Sequence, residues 1–314
     1  MISFSSVLVL LLLLLNNHIF SQACCTVGTS ISNGGERGIL PVKTLSTAVT
    51  FQHNVLNTAY QSSEVIDDPL NRTSTVSNFN IEIEYGLVKK VSLLFILPYT
   101  NRTRETTVTN IATNTSEVIT FKGDGLGDII ILGKYELITP SILSPLGLAI
   151  GGGAKLPTGS FEEENGGTRL SIDLQPGTGA ADLLLWGHFL YGLPSISMSF
   201  NANFLYRYAG VNLDSYRYGD EFLTSINGSY VFTDFLALNL QLRGRFAEKD
   251  YWNGRFLPST GGTYIDLTPG LIYYEGNFAL RVFVLIPIYR NVQGIQLAVN
   301  NMLGTEISYV FDFN

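Results

Sequence analysis

The chain has 314 residues, of which 46% are hydrophobic, 12% aromatic and only 14% charged, against roughly 25% charged in a soluble globular protein. A net charge of −7 without any basic run argues against a nucleic-acid partner, and two adjacent cysteines exclude a disulfide framework. After the first 20 residues no apolar stretch approaches the roughly 18 residues of a spanning helix. If a chain this apolar crosses a bilayer, it crosses with strands.

Val7 to Leu15 is an unbroken apolar run, and the small residues Ser21 and Ala23 suit cleavage before Cys24. The chain therefore divides into a signal peptide at 1–23, a short periplasmic segment at 24–43 and one large domain at 44–314. Cys24 stands where a lipid-attachment cysteine would, but Ser21 occupies the place of the usual lipobox Leu. Residues 24–43 are too few for a plug domain.

Period-two patterns predict about twelve strands, near 44–54, 77–87, 90–100, 126–137, 146–156, 179–191, 195–208, 220–232, 235–247, 262–274, 277–289 and 302–313. The connections alternate strictly. Long polar or Gly-rich stretches such as 55–76, 101–125 and 157–178 take turns with Val88-Lys89, Thr233-Asp234 and Glu275-Gly276. An even strand number, both termini on the periplasmic side and long loops on the other describe an all-β transmembrane antiparallel barrel. A soluble sandwich is the competing architecture, and it fits poorly with a greasy half on nearly every strand.

The faces are readable in several strands. Leu236, Leu238, Leu240, Leu242 and Phe246 oppose Asn239, Gln241, Arg243 and Arg245; Phe79, Ile81, Ile83 and Tyr85 oppose Glu82 and Glu84. Ile196 to Tyr208 repeats the pattern, with Arg207 on the polar side. Apolar residues face lipid and polar ones the lumen. In 90–100 and 277–289 both faces carry apolar residues, Leu94 and Ile96 or Phe283 and Leu285, so these strands line an apolar part of the lumen. Tyr85, Tyr99, Tyr135, Tyr191, Tyr206, Tyr208, Tyr273 and Tyr289 lie near strand ends, where β-propensity and an interfacial girdle both favour tyrosine.

Three glycine-bearing segments stand out: Gly123-Asp124-Gly125-Leu126-Gly127-Asp128, Lys155-Leu156-Pro157-Thr158-Gly159 and Leu174-Gln175-Pro176-Gly177-Thr178-Gly179. The first looks like a GxGxxG phosphate loop, but strand follows it, and a phosphate cradle needs a helix N-terminus. Together with Tyr85-Gly86-Leu87, Leu97-Pro98-Tyr99 and the run Pro287 to Leu297, these segments resemble the outer-membrane family named for the meta-pathway of phenol degradation. The likeness extends from about Thr44 to Phe313. It implies a barrel in the outer membrane of a Gram-negative bacterium that passes small solutes, aromatic or hydrophobic ones among them. Two departures from the pattern are the ending on Asn314 after Phe313 and the Cys24-Cys25 start.

By parity Glu82, Glu84, Asp128, Lys134, Asp182, Arg207, Arg243, Arg245, Arg281 and Glu306 point into the lumen, as do Glu136, Lys155, Asp266 and Asp312. Unlike charges facing each other across a narrow lumen pair, because an unpaired buried ion costs several kcal/mol. They are either internal struts or a constriction that selects solutes by charge. Catalysis has no support: beyond the leader only His53 and His188 remain, and neither stands with a serine and an orienting partner. His, Cys and carboxylates nowhere cluster at metal-ligand spacing, and no cofactor motif is present. Asn71, Asn101, Asn114 and Asn227 head Asn-x-Ser/Thr triplets that carry no weight in a bacterial outer membrane. The expected partners are outer-membrane lipid, the barrel-assembly machinery and a small-molecule solute. The expected function is a channel or transporter, with a structural or adhesive barrel plugged by ion pairs as the alternative.

Overall fold

The computed structural model describes residues 38–68, 70–110, 115–141 and 144–313. The expected signal peptide, both cysteines and residues 24–37 lie outside the described residues. Twelve antiparallel strands form the barrel: β1 (Thr44–Leu56), β2 (Thr73–Val88), β3 (Val91–Asn110), β4 (Ile130–Ile138), β5 (Leu146–Lys155), β6 (Asp182–Leu193), β7 (Met198–Tyr208), β8 (Glu221–Thr233), β9 (Leu236–Ala247), β10 (Gly262–Glu275), β11 (Phe278–Ala298) and β12 (Met302–Asp312). β12 closes it, pairing with β11 on one side and with β1 on the other, from Thr44 opposite Asp312 to Asn54 opposite Met302. Closure leaves no free edge, the condition for a sheet to sit in hydrocarbon.

Side-chain alternation follows from the pleat. In β1, Thr44, Ser46, Ala48, Thr50, Gln52, Asn54 and Leu56 are all buried, while the residues between them face out. Phe79, Ile81, Ile83, Leu238, Leu240, Ile307 and Phe311 are exposed on the outer wall, the surface that lipid would cover. The eight tyrosines expected at strand ends are all exposed there. Tyr85, Tyr135, Tyr191 and Tyr273 lie towards the short turns; Tyr99, Tyr206, Tyr208 and Tyr289 lie towards the long loops.

Several boundaries differ from expectation. The stretch 101–125 is a hairpin: β3 runs on to Asn110 and pairs with Thr115–Leu126, where Thr115, Val118, Ile119 and Thr120 supply β-branched residues that favour strand. The barrel strand expected at 126–137 therefore starts only at Ile130, after a break at Gly127-Asp128-Ile129. Pro194 opens a 3-10 turn over Pro194–Ile196, and Ser197 adopts a left-handed conformation (φ 53°), so Ile196 belongs to the turn and β7 begins at Met198. Finally, β11 continues past 289 to Ala298 through a bulge at Gly294 (φ 69°) and pairs with the short strand Thr58–Ser62.

The glycine-bearing segments meet at one place. The backbones of Gly127, Gly159 and Gly177 stack so closely that a Cβ on Gly159 would stand 2.7 Å from the Gly127 carbonyl carbon, and one on Gly177 2.6 Å from Gly159 O. Asp128 ties the crossing together. It accepts from Gly159 N at 3.0 Å, Thr178 N at 2.9 Å and Thr178 Oγ1 at 2.6 Å, and it pairs with Lys155 Nζ at 3.0 Å. Loop 156–181 is thus folded against the barrel wall, and its Asp173, Leu174 and Gln175 are buried.

Candidate functional site: the barrel lumen

Cross-strand neighbours build a belt of alternating charge inside the barrel near the long-loop end. Asp128 meets Lys155, Lys155 meets Asp182, and Asp182 meets Arg207, each at 3.0 Å. Arg207 meets Glu221 at 3.2 Å, and Glu221 pairs in turn with Arg245. Arg245 lies over the Tyr264 ring at 5.0 Å, Arg290 lies 5.5 Å from the same ring, and Arg290 pairs with Asp266. Direct register pairs (Lys155–Asp182, Arg207–Glu221, Arg245–Tyr264, Tyr264–Arg290) are joined by diagonal ones, so the belt follows from the hydrogen-bond register of β5 to β11.

A second polar layer lies towards the short turns. Lys134 Nζ donates to Glu84 at 3.1 Å, Ser92 Oγ donates to the same carboxylate, and the ammonium stands 4.9 Å from the Trp186 ring. Trp186 stacks on His188, whose Nδ1 is 2.7 Å from Asn203 Oδ1. Arg281 donates to Asn239 Oδ1 at 2.9 Å and lies over Phe283. Glu306 is opposite Arg281 in register, while Arg243 is opposite Asp266 and Glu82 stands between Ala48 and Ile96. Of the fourteen residues expected in the lumen, six, Asp128, Lys155, Asp182, Arg207, Arg245 and Asp266, fall in the belt.

Between the two layers the wall is apolar. Leu94, Ile96, Ile130, Leu132, Ala149, Leu184, Leu205 and Leu223 form one cluster on six successive strands, β3 to β8, with Trp186 at its edge. Leu184, Leu205 and Leu223 follow Asp182, Arg207 and Glu221 at two-residue steps along their strands, so greasy and charged rows alternate along the axis. A second cluster, including Leu56, Phe283, Leu285, Leu297 and Met302, lies on the opposite strands. Leu94, Ile96, Phe283 and Leu285 were legible from parity; Leu184, Leu205 and Leu223 were hidden among the polar residues of their face.

The loops close over the long-loop end. Arg104 pairs with Asp173, and Arg102 Nη1 donates to Asp173 O at 2.7 Å. A cavity of about 30 Å³ remains beneath them, bounded by Arg207, Glu221, Arg245, Tyr264, Tyr218 and Asp250, room for a water molecule or two. Asp250 knits two loops: it accepts from Tyr216 OH at 2.5 Å and Gly219 N at 2.7 Å, and its own N donates to Thr260 Oγ1 at 2.9 Å. Burial raises its carboxyl pKa above the ordinary range, and burial beside Asp250 raises the Tyr216 and Tyr218 phenols. A carboxyl raised on folding favours the protonated state, so its stabilising contribution is complete below its unfolded pKa and lost as pH rises through the folded one. The Gly219 amide should exchange more slowly, after correction for intrinsic rate, on the acid side of that window. Asp250→Asn should flatten this dependence, and an unchanged slope would discard the role of Asp250.

Among the described residues no group of three or more His, Cys, Asp or Glu is placed to hold a metal ion. No helix of the described chain is long and apolar enough to cross a membrane, which says nothing of strands.

A family model described as "Putative MetA-pathway of phenol degradation" matches residues 41–284. Among solved structures, an outer membrane channel from Pseudomonas putida F1 superposes with a TM-score of 0.64 at 14% identity, covering 89% of this chain and 98% of that one. A mutant of the monoaromatic hydrocarbon channel TodX gives 0.47 at 9% identity over 87% and 91% of the two chains. The β domain of the Bordetella autotransporter BrkA gives 0.46 at 13% over 86% and 100%. No curated protein matches in sequence. The fold is that of an outer-membrane β-barrel, and with 41–284 matched the chain belongs to the family described by that model.

Proposed function

We propose that the protein is an outer-membrane channel for small apolar solutes, aromatic ones among them, with both termini in the periplasm and the long loops outside. It performs no chemistry on what it passes; lipid surrounds it, and the barrel-assembly machinery inserts it. The observation that carries this reading is the apolar patch running across six neighbouring strands of the lumen wall. A water-filled ion pore gains nothing from such a lining, whereas an apolar solute gains roughly 25 cal/mol for each Å² of its surface removed from water.

One observation favours the alternative of a structural barrel with a plugged lumen: the belt from Asp128 to Glu221 is buried, and each of its charges is paired with a neighbour. The two readings separate in liposome swelling with refolded protein. In the channel reading with the belt as struts, wild type admits small uncharged solutes, and replacing Arg243 and Arg245 with Ala lowers the melting temperature without changing charge selectivity. Altered selectivity would make the belt a constriction. No swelling and no conductance by the wild type would defeat the channel and leave the plugged barrel.

A further inference from the structure

We propose that residues 38–41 are an internal stopper: they enter the lumen from the short-turn end, occupy the apolar patch, and withdraw when solute passes. The inference rests on the channel reading above. The segment crosses the rim at β2, where Lys43 N donates to Gly86 O at 2.9 Å and Thr44 N to Pro41 O at 3.3 Å. Phe313 N donates to Lys43 O at 3.1 Å, which pins the root of the segment to the end of the closing strand. At Gly86 the fit is backbone against backbone, since a Cβ there would stand 1.8 Å from Pro41 O.

Beyond the root, Ile39 packs against the cluster of Leu94, Ile96, Ile130 and their neighbours. Gly38 lies beside His188: a Cβ built on it would stand 3.5 Å from His188 Nε2, an ordinary contact. His188 Nδ1 is engaged by Asn203, so Nε2 is the ring nitrogen that meets the segment. The chain thus places one of its own aliphatic side chains on the surface assigned to the solute.

The contact is built to be broken. Ile39 keeps part of its surface exposed while the wall beneath it is almost wholly buried, and the hydrogen bonds that fix the segment lie at its root. An apolar solute and Ile39 compete for the same carbon surface, because each gains by removing it from water. A solute that binds only the withdrawn state shifts the equilibrium towards it.

The test is single-channel conductance in planar bilayers for refolded wild type, for Ile39→Asp and for a deletion of residues 24–40, each verified as a heat-modifiable barrel. A carboxylate does not stay on an apolar wall without a partner, so both variants should conduct several-fold more than wild type. A conducting wild type with no increase in either variant overturns the stopper and leaves the channel standing. Silence in all three overturns both.

Discussion

Removing residues 309–314 abolishes barrel assembly, so that the truncated protein migrates at one position on a gel whether or not it is heated. The deletion takes out the pairs Tyr309–Thr47, Val310–Ser46, Phe311–Leu45 and Asp312–Thr44 with β1, and Tyr309–Phe278 with β11. The rows of N–H and C=O groups left behind face hydrocarbon, where each unsatisfied group costs several kcal/mol. It also removes an outward aromatic column, Tyr309 against Phe311 at 4.5 Å and Phe311 against Phe313 at 6.4 Å, at the level where such rings anchor to the membrane interface. Trimming residues 24–30 leaves assembly unchanged, because the first pair of the closing seam is at Thr44. A truncated protein that still shifted on heating would show that β12 does not close the barrel.

Asp128→Ala lowers the stability of the refolded barrel by about 3–5 kcal/mol, the cost of removing one partner from a buried ion pair. Four donors converge on this carboxylate from the other two glycine-bearing segments. Without it the buried amides of Gly159 and Thr178 lose their acceptor, and Lys155 keeps Asp182 as its carboxylate partner. Loop 156–181 is then released from the wall, and protease cutting near Phe161 should rise along with the fall in melting temperature. Asp128→Asn retains an acceptor for the amides and should fall between the two. Unchanged melting and cutting in Asp128→Ala would mean that the glycine crossing holds without its central carboxylate.

Much of this barrel was legible in the chain. A closed sheet imposes period two everywhere, so Glu82 and Glu84 or Arg243 and Arg245 declare their face without knowledge of any partner, and the alternation of short and long connections separates a short-turn end from a long-loop end. Register was not legible. The belt depends on Arg207 standing opposite Glu221 and Arg245 opposite Tyr264, and nothing local fixes those offsets. Arg290 and Glu221 were missed as belt members for a related reason: each lies at the boundary between a predicted strand and a loop, where parity ends. The meeting of the three glycine segments was out of reach for another reason. Gly159 and Gly177 act through the absence of a side chain, and the contact they permit is visible only once the backbones are placed. The apolar patch was half visible, because Leu205 and Leu223 share a face with Arg207 and Ser225 and were outvoted by polar neighbours.

The most direct measurement is the influx of a small uncharged aromatic solute into vesicles that hold the refolded protein and carry lipopolysaccharide in the leaflet, compared with a zwitterion of similar size. The lumen described above predicts faster influx of the aromatic solute than in protein-free vesicles, with little gain for the zwitterion. Equal rates with and without protein for both solutes would contradict it.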